Sequence, residues 1–299
     1  MLEFHALHKA FDERQVLRGL TFTVRPGELF GFCGANGAGK TTAMRIALGV
    51  LQADRGEVRL NGKTVDAASR ARIGYMPEER GLYAKMTPRD QLVHFAVLSG
   101  VDRTTARRRA EEWMERLKVV AGPKDALEKL SLGNQQKVQL IASLIHEPDV
   151  LVLDEPFSGL DPVAVDAMAD ALVDFSRRGV PVVFSSHQLD LVERLCDRVG
   201  IVRDGALVAE GTVGELRDGA GRGPLEVELS DASADWTDGL NRIDGVEVLQ
   251  TEGRTVLLRV DDDVPAGRIL AVAQAAGEIE HFGRRRPALS DIFRESVGG

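Results

Sequence analysis

The sequence of 299 residues has only two cysteines, Cys33 and Cys196, distant along the chain and in no metal-ligand spacing. A disulfide framework is therefore not expected, and a reducing compartment fits better. No window approaches the ~18–20 uninterrupted apolar residues that a membrane-spanning helix needs. If the protein serves a membrane process, another chain must supply the membrane part. The opening, MLEFHALHKAFDERQV, has no basic stretch followed by an apolar run, so no signal peptide is expected. Positive charge is not in excess either: 46 acidic against 38 basic residues leave −8, which argues against nonspecific nucleic-acid binding. Internal repeats and low-complexity tracts are absent. The remaining composition, 43% hydrophobic and 28% charged, is that of an ordinary globular chain with room for one large or two modest domains.

Residues 15–33 read as two strands about the Pro26-Gly27 turn, the second being the buried run Glu28–Cys33. Helical spacing follows from Thr41 to Val50, and a hairpin at 57–65 turns on Asn61-Gly62. Long helical patterns occupy about 86–146, including Pro88–Leu98, Arg103–Leu117 and Gln135–Ile145. The arginines 107–109 and the glutamates after them read as a solvated, salt-bridged helix face. Strands at Val150–Leu153 and Pro181–Ser185 flank a helix over 163–178, a β–α–β alternation that implies a parallel sheet. A further helix, Leu189–Cys196, precedes strands at Arg198–Arg203 and Ala206–Ala209. The turn-prone DGAGRGP at 218–224 reads as a linker between domains 1–217 and 225–299. Beyond it, four strands and two helical segments form a compact α+β module.

The sharpest chemical signal is Gly34-Ala-Asn-Gly-Ala-Gly-Lys-Thr-Thr42, the G-x-x-x-x-G-K-[ST] pattern set between a buried strand and a helix. Its glycines let the loop curl so that backbone N–H groups around Asn36, Gly37, Ala38 and Gly39 face phosphates at the positive end of the helix. Lys40 is expected to reach the β- and γ-phosphates, Thr41 to ligate Mg²⁺, and Thr42 to complete the cradle. The second signal is Val150-Leu-Val-Leu-Asp-Glu155, a buried strand delivering two carboxylates to its C-terminal end. There Asp154 suits the Mg²⁺ shell and Glu155 suits polarising an attacking water.

Together these residues resemble the nucleotide-binding subunit of ATP-binding cassette (ABC) transporters, over about residues 2–215. The resemblance implies an α/β P-loop NTPase core: a RecA-like parallel sheet, an antiparallel β subdomain and a helical subdomain, with the small α+β domain appended. It also implies that Phe11 stacks on adenine and that His187, after Val182–Ser186, contacts the γ-phosphate. Asp161, in Ser158-Gly-Leu-Asp161, would lie at a subunit interface. Two departures stand out. Glu78, within Ile73–Tyr83, occupies the place of the family's usual glutamine, keeping an oxygen for Mg²⁺ but adding charge beside Asp154 and Glu155. Leu130-Ser-Leu-Gly-Asn134 replaces the usual L-S-G-G-Q. The family's chemistry there needs a small hydroxyl, an open backbone and a helix N-terminus, which Ser131 and Gly133 supply in part, with Asn134 offering a shorter amide. The helix is expected from Asn134, with Val138, Ile141 and Ile145 on its apolar stripe and Gln135, Gln136 and Lys137 outside it.

In such a family two copies pack head to tail, and each ATP is completed in trans by Ser131, Gly133, Asn134 and Asp161. The expected function is therefore an ATP- and Mg²⁺-dependent ATPase driving a separate transmembrane permease from the cytoplasmic face. The E-E-R-G-L-Y wording at 78–83 resembles exporter members, as does Pro287–Phe293 near the end. The alternative is a soluble ABC ATPase acting on ribosomes or DNA. Against it stand one cassette, no heptad run between the motifs and net negative charge.

Overall fold

The structure is a computed structural model describing residues 1–79, 81–219, 223–231, 236–285 and 287–298. Arg80 of the E-E-R-G-L-Y stretch, and residues 220–222 of the expected linker, lie outside the described residues. The chain divides into two compact units, 1–213 with 293–299, and 214–292.

In the first unit, β1 (Leu2–Phe11) and β2 (Arg14–Val24) pair antiparallel, and β3 (Leu29–Gly34) follows after the Pro26-Gly27 turn. The sequence pattern concealed β1. Ala6 adopts φ +43° and shifts the register, so Leu2, Phe4 and Leu7 are all buried although they break strict alternation. After α1 (Lys40–Ala47) come β4 (Arg55–Leu60), β5 (Lys63–Thr64), α2 (Ala67–Arg70) and β6 (Ile73–Met76). Strands in the order β2-β1-β4-β5 make an antiparallel sheet. Phe22 stacks on Phe4 at 4.2 Å and on Phe32 of β3 at 4.8 Å, welding this sheet to the next layer.

Three helices follow: α3 (Pro88–Leu98), α4 (Arg103–Arg116) and α5 (Leu132–Leu144). Their starts are written in the sequence: Thr87, Asp102 and Ser131 are N-caps whose side chains accept backbone N–H groups of the first turn. Arg108 pairs with Glu112 on an exposed face as expected, whereas Arg109 is mostly covered and ties α4 to the end of α5 through Glu147 and the Ile145 carbonyl. Helix α5 begins two residues earlier than expected because Ser131 caps it, placing Leu132, not Asn134, at the first helical position. Gln136 is also not outside the buried stripe: it is 4% exposed, and Gln139 3%.

Next come β7 (Val150–Leu153), α6 (Pro162–Arg177), β8 (Val182–Ser186), α7 (Leu189–Leu195), β9 (Arg198–Arg203) and β10 (Ala206–Gly211), and α8 (Val213–Gly219) opens the second unit. A six-stranded sheet runs β10-β9-β3-β8-β7-β6, parallel except for the β9–β10 edge hairpin. Both faces are covered, so β3, β7 and β8 are buried at every residue.

The second unit holds β11 (Leu225–Leu229), α9 (Thr237–Asn241), β12 (Val246–Glu252), β13 (Thr255–Val260), α10 (Ala266–Ala276) and β14 (Ile279–Arg284). The last helix, α11, spans Leu289–Gly298. The antiparallel sheet order β12-β13-β11-β14 with β-α-β-β-α-β succession is a ferredoxin-like split. Val227, Val256, Leu258, Leu240 and Ile269 form its core.

Candidate nucleotide site

Every central candidate follows the C-terminal end of a parallel strand, where open α/β sheets place their ligands. The loop 35–39 follows β3, Glu78 lies two residues past β6, Asp154 follows β7 and His187 follows β8.

The loop is held open by backbone geometry. Gly39 caps α1 at φ +104°, and a Cβ there would stand 2.7 Å from Leu17 Cδ2 and 3.0 Å from Val16 O. Only glycine fits. Asn36 and Gly37 are exposed, while Ala38 and Gly39 are buried against the sheet. Lys40 is 7% exposed and its ammonium donates to the carbonyls of Gly34 (2.6 Å) and Ala35 (3.3 Å). Its charge is thus parked at the mouth of the loop, at the N-terminus of α1. Thr41 and Thr42, half-buried, begin the helix.

Thr41, Glu78 and Asp154 come together around one pocket of about 260 Å³, which Arg45 and Tyr75 also line. Asp154 is 1% exposed. Its Oδ1 accepts the Ser185 hydroxyl (2.6 Å), while Oδ2 is buried with no hydrogen-bond partner among the described residues. A buried carboxylate with one orphaned oxygen, at a pocket lined also by a threonine and a second carboxylate, makes a hard-oxygen donor set, and it fits Mg²⁺. Burial, and after it the Asp154 charge, hold the Tyr75 phenol above its ordinary pKa, with Glu78 adding a smaller push. Beneath the loop, burial pushes the Cys33 thiol up to about 12, Lys40 opposing and Glu155 reinforcing the shift.

Glu155 is held in an unusual conformation, φ +49°, which a non-glycine residue adopts only when its surroundings impose it. Its N–H donates to Ser185 Oγ (2.8 Å), and its Oε2 lies 2.9 Å from His187 Nδ1. A buried carboxylate is thereby aimed by a half-exposed imidazole. Such a pair can take a hydrogen bond from water and orient it. Phe11, by contrast, ends β1 at 47% exposure with Lys9 Nζ 5.6 Å from its ring centroid, an open aromatic face.

Ser131, Gly133, Asn134 and Asp161 are brought to helix starts rather than to this pocket. Ser131 Oγ caps α5, accepting the Asn134 N–H at 3.4 Å. The Asn134 side chain is used internally: Nδ2 donates to Ser131 Oγ (3.0 Å) and Oδ1 accepts the Val120 N–H (2.9 Å). Leu132 is 56% exposed with ordinary backbone angles, and a side chain at Gly133 would touch only Leu160 Cδ2, at 3.6 Å. The backbone here is open to an external group. Asp161 caps α6, accepting the Ala164 N–H at 2.9 Å.

Three supporting residues escaped the sequence reading. Ser185 bridges Asp154 and Glu155. Gln136 and Gln139 tie α5 to the segments beside Glu155 and Glu78. Their signal was present: Gln136, Gln139 and Ser143 recur at helical spacing and are all buried.

The family model "ABC transporter" matches residues 17–158, and a model for the C-terminal domain of DrrA1-3-like ATP-binding proteins matches 211–297. The ABC transporter ATP-binding protein YhaQ of Bacillus subtilis (strain 168) is 37% identical over 298 residues, covering 100% of this chain and 99% of that protein. The Nod factor export ATP-binding protein I of Burkholderia pseudomallei (strain 1710b) is 32% identical over 308 residues, covering 99% and 97%. Among solved structures, an ATP-binding subunit of an ABC transporter superposes with a TM-score of 0.69 at 30% identity, covering 74% of this chain and 93% of that one.

Proposed function

Since the chain belongs to the ABC transporter ATP-binding proteins, a family of ATPases, we propose that two copies close around two ATP molecules and drive a separate membrane permease as an exporter. The observation that carries the reading is the division of the candidates. Lys40, Thr41, Glu78, Asp154, Glu155 and His187 gather past the C-terminal ends of the parallel strands, whereas Ser131, Gly133 and Asp161 lie at helix starts elsewhere.

In this mechanism Phe11 stacks on the adenine ring and the loop 36–39 takes the phosphates through its N–H groups. Lys40 exchanges the carbonyls of Gly34 and Ala35 for the β- and γ-phosphate oxygens. Thr41, Asp154 and Glu78 would hold Mg²⁺, which when bound would supply positive charge to offset that of the phosphates. Glu155 accepts a hydrogen bond from the attacking water, and His187 fixes the carboxylate and reaches the γ-phosphate. The Ser131 hydroxyl and the α5 N-terminus of the second copy complete the site. A charge-assisted hydrogen bond there is worth about 1.5–3 kcal/mol. Its loss would weaken closure roughly ten- to a hundredfold.

The segment Glu78–Tyr83 is the proposed link to the permease. Tyr83 is 53% exposed, its N–H is held by Gln91 Oε1 at 2.6 Å, and its ring stacks on Phe95. No helix among the described residues is long and apolar enough to cross a membrane, so the protein would sit at the inner membrane face through that permease. Export as the direction is supported by the Burkholderia relative, which is named a Nod factor export ATP-binding protein. Glu155→Gln tests the assignment of the base: it should bind ATP normally and hydrolyse it very slowly. Normal turnover in that variant would sink it.

A further inference from the structure

Two buried glutamines on α5 are left unused by the mechanism above. The Gln139 amide Nε2 donates to the carbonyls of Pro77 (2.6 Å) and Glu79 (3.3 Å), gripping the backbone on both sides of Glu78. Three residues earlier on the same helical face, Gln136 Nε2 donates to the carbonyls of Pro156 (3.1 Å) and Glu155 (3.5 Å). Two carbonyls facing one end of an amide demand a donor there, which fixes both amide orientations. Gln139 Oε1 is buried with no hydrogen-bond partner among the described residues. A methionine of similar length would carry no such orphan acceptor, so core packing does not explain the glutamine. The bracketed carbonyls do.

We propose that Gln136 and Gln139 are positioning residues through which the helix starting at Ser131 holds Glu155 and Glu78 in place. This rests on the roles proposed above for Ser131, Glu155 and Glu78. A shift of α5 as Ser131 meets the partner's nucleotide would then move both carboxylates of its own site. One rigid helix links the two ATP sites, with no need for a longer chain of contacts.

The test uses full-length Gln139→Met and Gln136→Met, with Mn²⁺ affinity read by electron paramagnetic resonance in the presence of ADP, beside steady-state kinetics. Gln139→Met should weaken Mn²⁺ binding about tenfold, the scale for removing a partner of a metal ligand. Gln139→His, which keeps one N–H donor, should fall between. Gln136→Met should leave Mn²⁺ affinity unchanged and lower kcat about tenfold at constant KM, the signature of a group acting through Glu155. Wild-type Mn²⁺ affinity in both position-139 variants overturns the proposal. So does the same combined loss in Gln136→Met and Gln139→Met, which mere destabilisation would give. Glu78→Gln separates the two layers. If it leaves Mn²⁺ affinity untouched, the metal role of Glu78 fails; if it weakens binding while Gln139→Met does not, only the positioning role fails.

Discussion

Ser185→Ala removes one oxygen and should be among the costliest single changes in the protein. Ser185 is fully buried, donates to Asp154 Oδ1 at 2.6 Å and accepts the Glu155 N–H at 2.8 Å. Losing it strands two buried groups at once. The N–H loses its acceptor, costing about 1–2 kcal/mol, and the carboxylate loses a donor, costing about 1.5–3 kcal/mol. The gap left by one hydroxyl is too small for a water to repair. We expect a total of about 2.5–5 kcal/mol, a large share of the ~5–15 kcal/mol that holds a typical domain together. Urea unfolding should show a lower midpoint at constant slope, as for a change in stability alone. Ser186→Ala is the control, since among the described residues Ser186 Oγ accepts only the partly buried N–H of Gln188 at 3.0 Å. A loss below about 1 kcal/mol in Ser185→Ala, with native turnover, would refute the view that this hydroxyl holds the acid pair.

Other expectations follow from the same geometry. Phe11→Ala should weaken ATP binding by about 1–3 kcal/mol, as for loss of a base–aromatic stack. Being half exposed, the ring should contribute little to stability, so calorimetric affinity should fall without a matching fall in thermal midpoint. Leu132→Gly should cost about 0.5–1 kcal/mol, because residue 132 is an ordinary helical position where glycine only adds unfolded-state freedom. A several-fold rise in turnover in that variant would instead mark Leu132 as an impairment. Cys33, with its thiol at about 12 against an ordinary 9.0, should resist alkylation at pH 8 in the native protein and react on unfolding. The sign of its linkage is fixed: the unfolded thiol ionises first, so stability falls as pH rises from about 9 to about 12. Cys33→Ala should flatten that alkaline slope in fluorescence-monitored unfolding.

Much of this was legible in the chain itself. Motifs that carry their own backbone logic, such as Gly34–Thr42 between strand and helix, or Asp154 at the end of four buried residues, fell where the pattern placed them. Helices with strong caps, Pro88–Leu98 above all, were readable to the residue. Local signals failed where a nonlocal constraint decided the outcome. The bulge at Ala6 broke the alternation that would have revealed β1. The start of α5 is a different case: its signal, the Ser131 cap, is local and present in the sequence, and was passed over. Gln136 read as a surface polar and Gln139 drew no reading, because their partners, Pro156 and Pro77, are distant in sequence. Ser185 was hidden in the same way, its two partners lying on the neighbouring strand's exit.

The central claim is that ATP joins two copies, with Ser131 of one completing the site of the other. Light-scattering mass of Glu155→Gln, chromatographed in ATP, tests it most directly. The account predicts twice the mass of one chain with ATP and a single chain without it. Adding Ser131→Ala should return the protein to a single chain while ATP stays bound. A Glu155→Gln protein that binds ATP yet remains a single chain, or whose dimer ignores Ser131→Ala, would contradict the account.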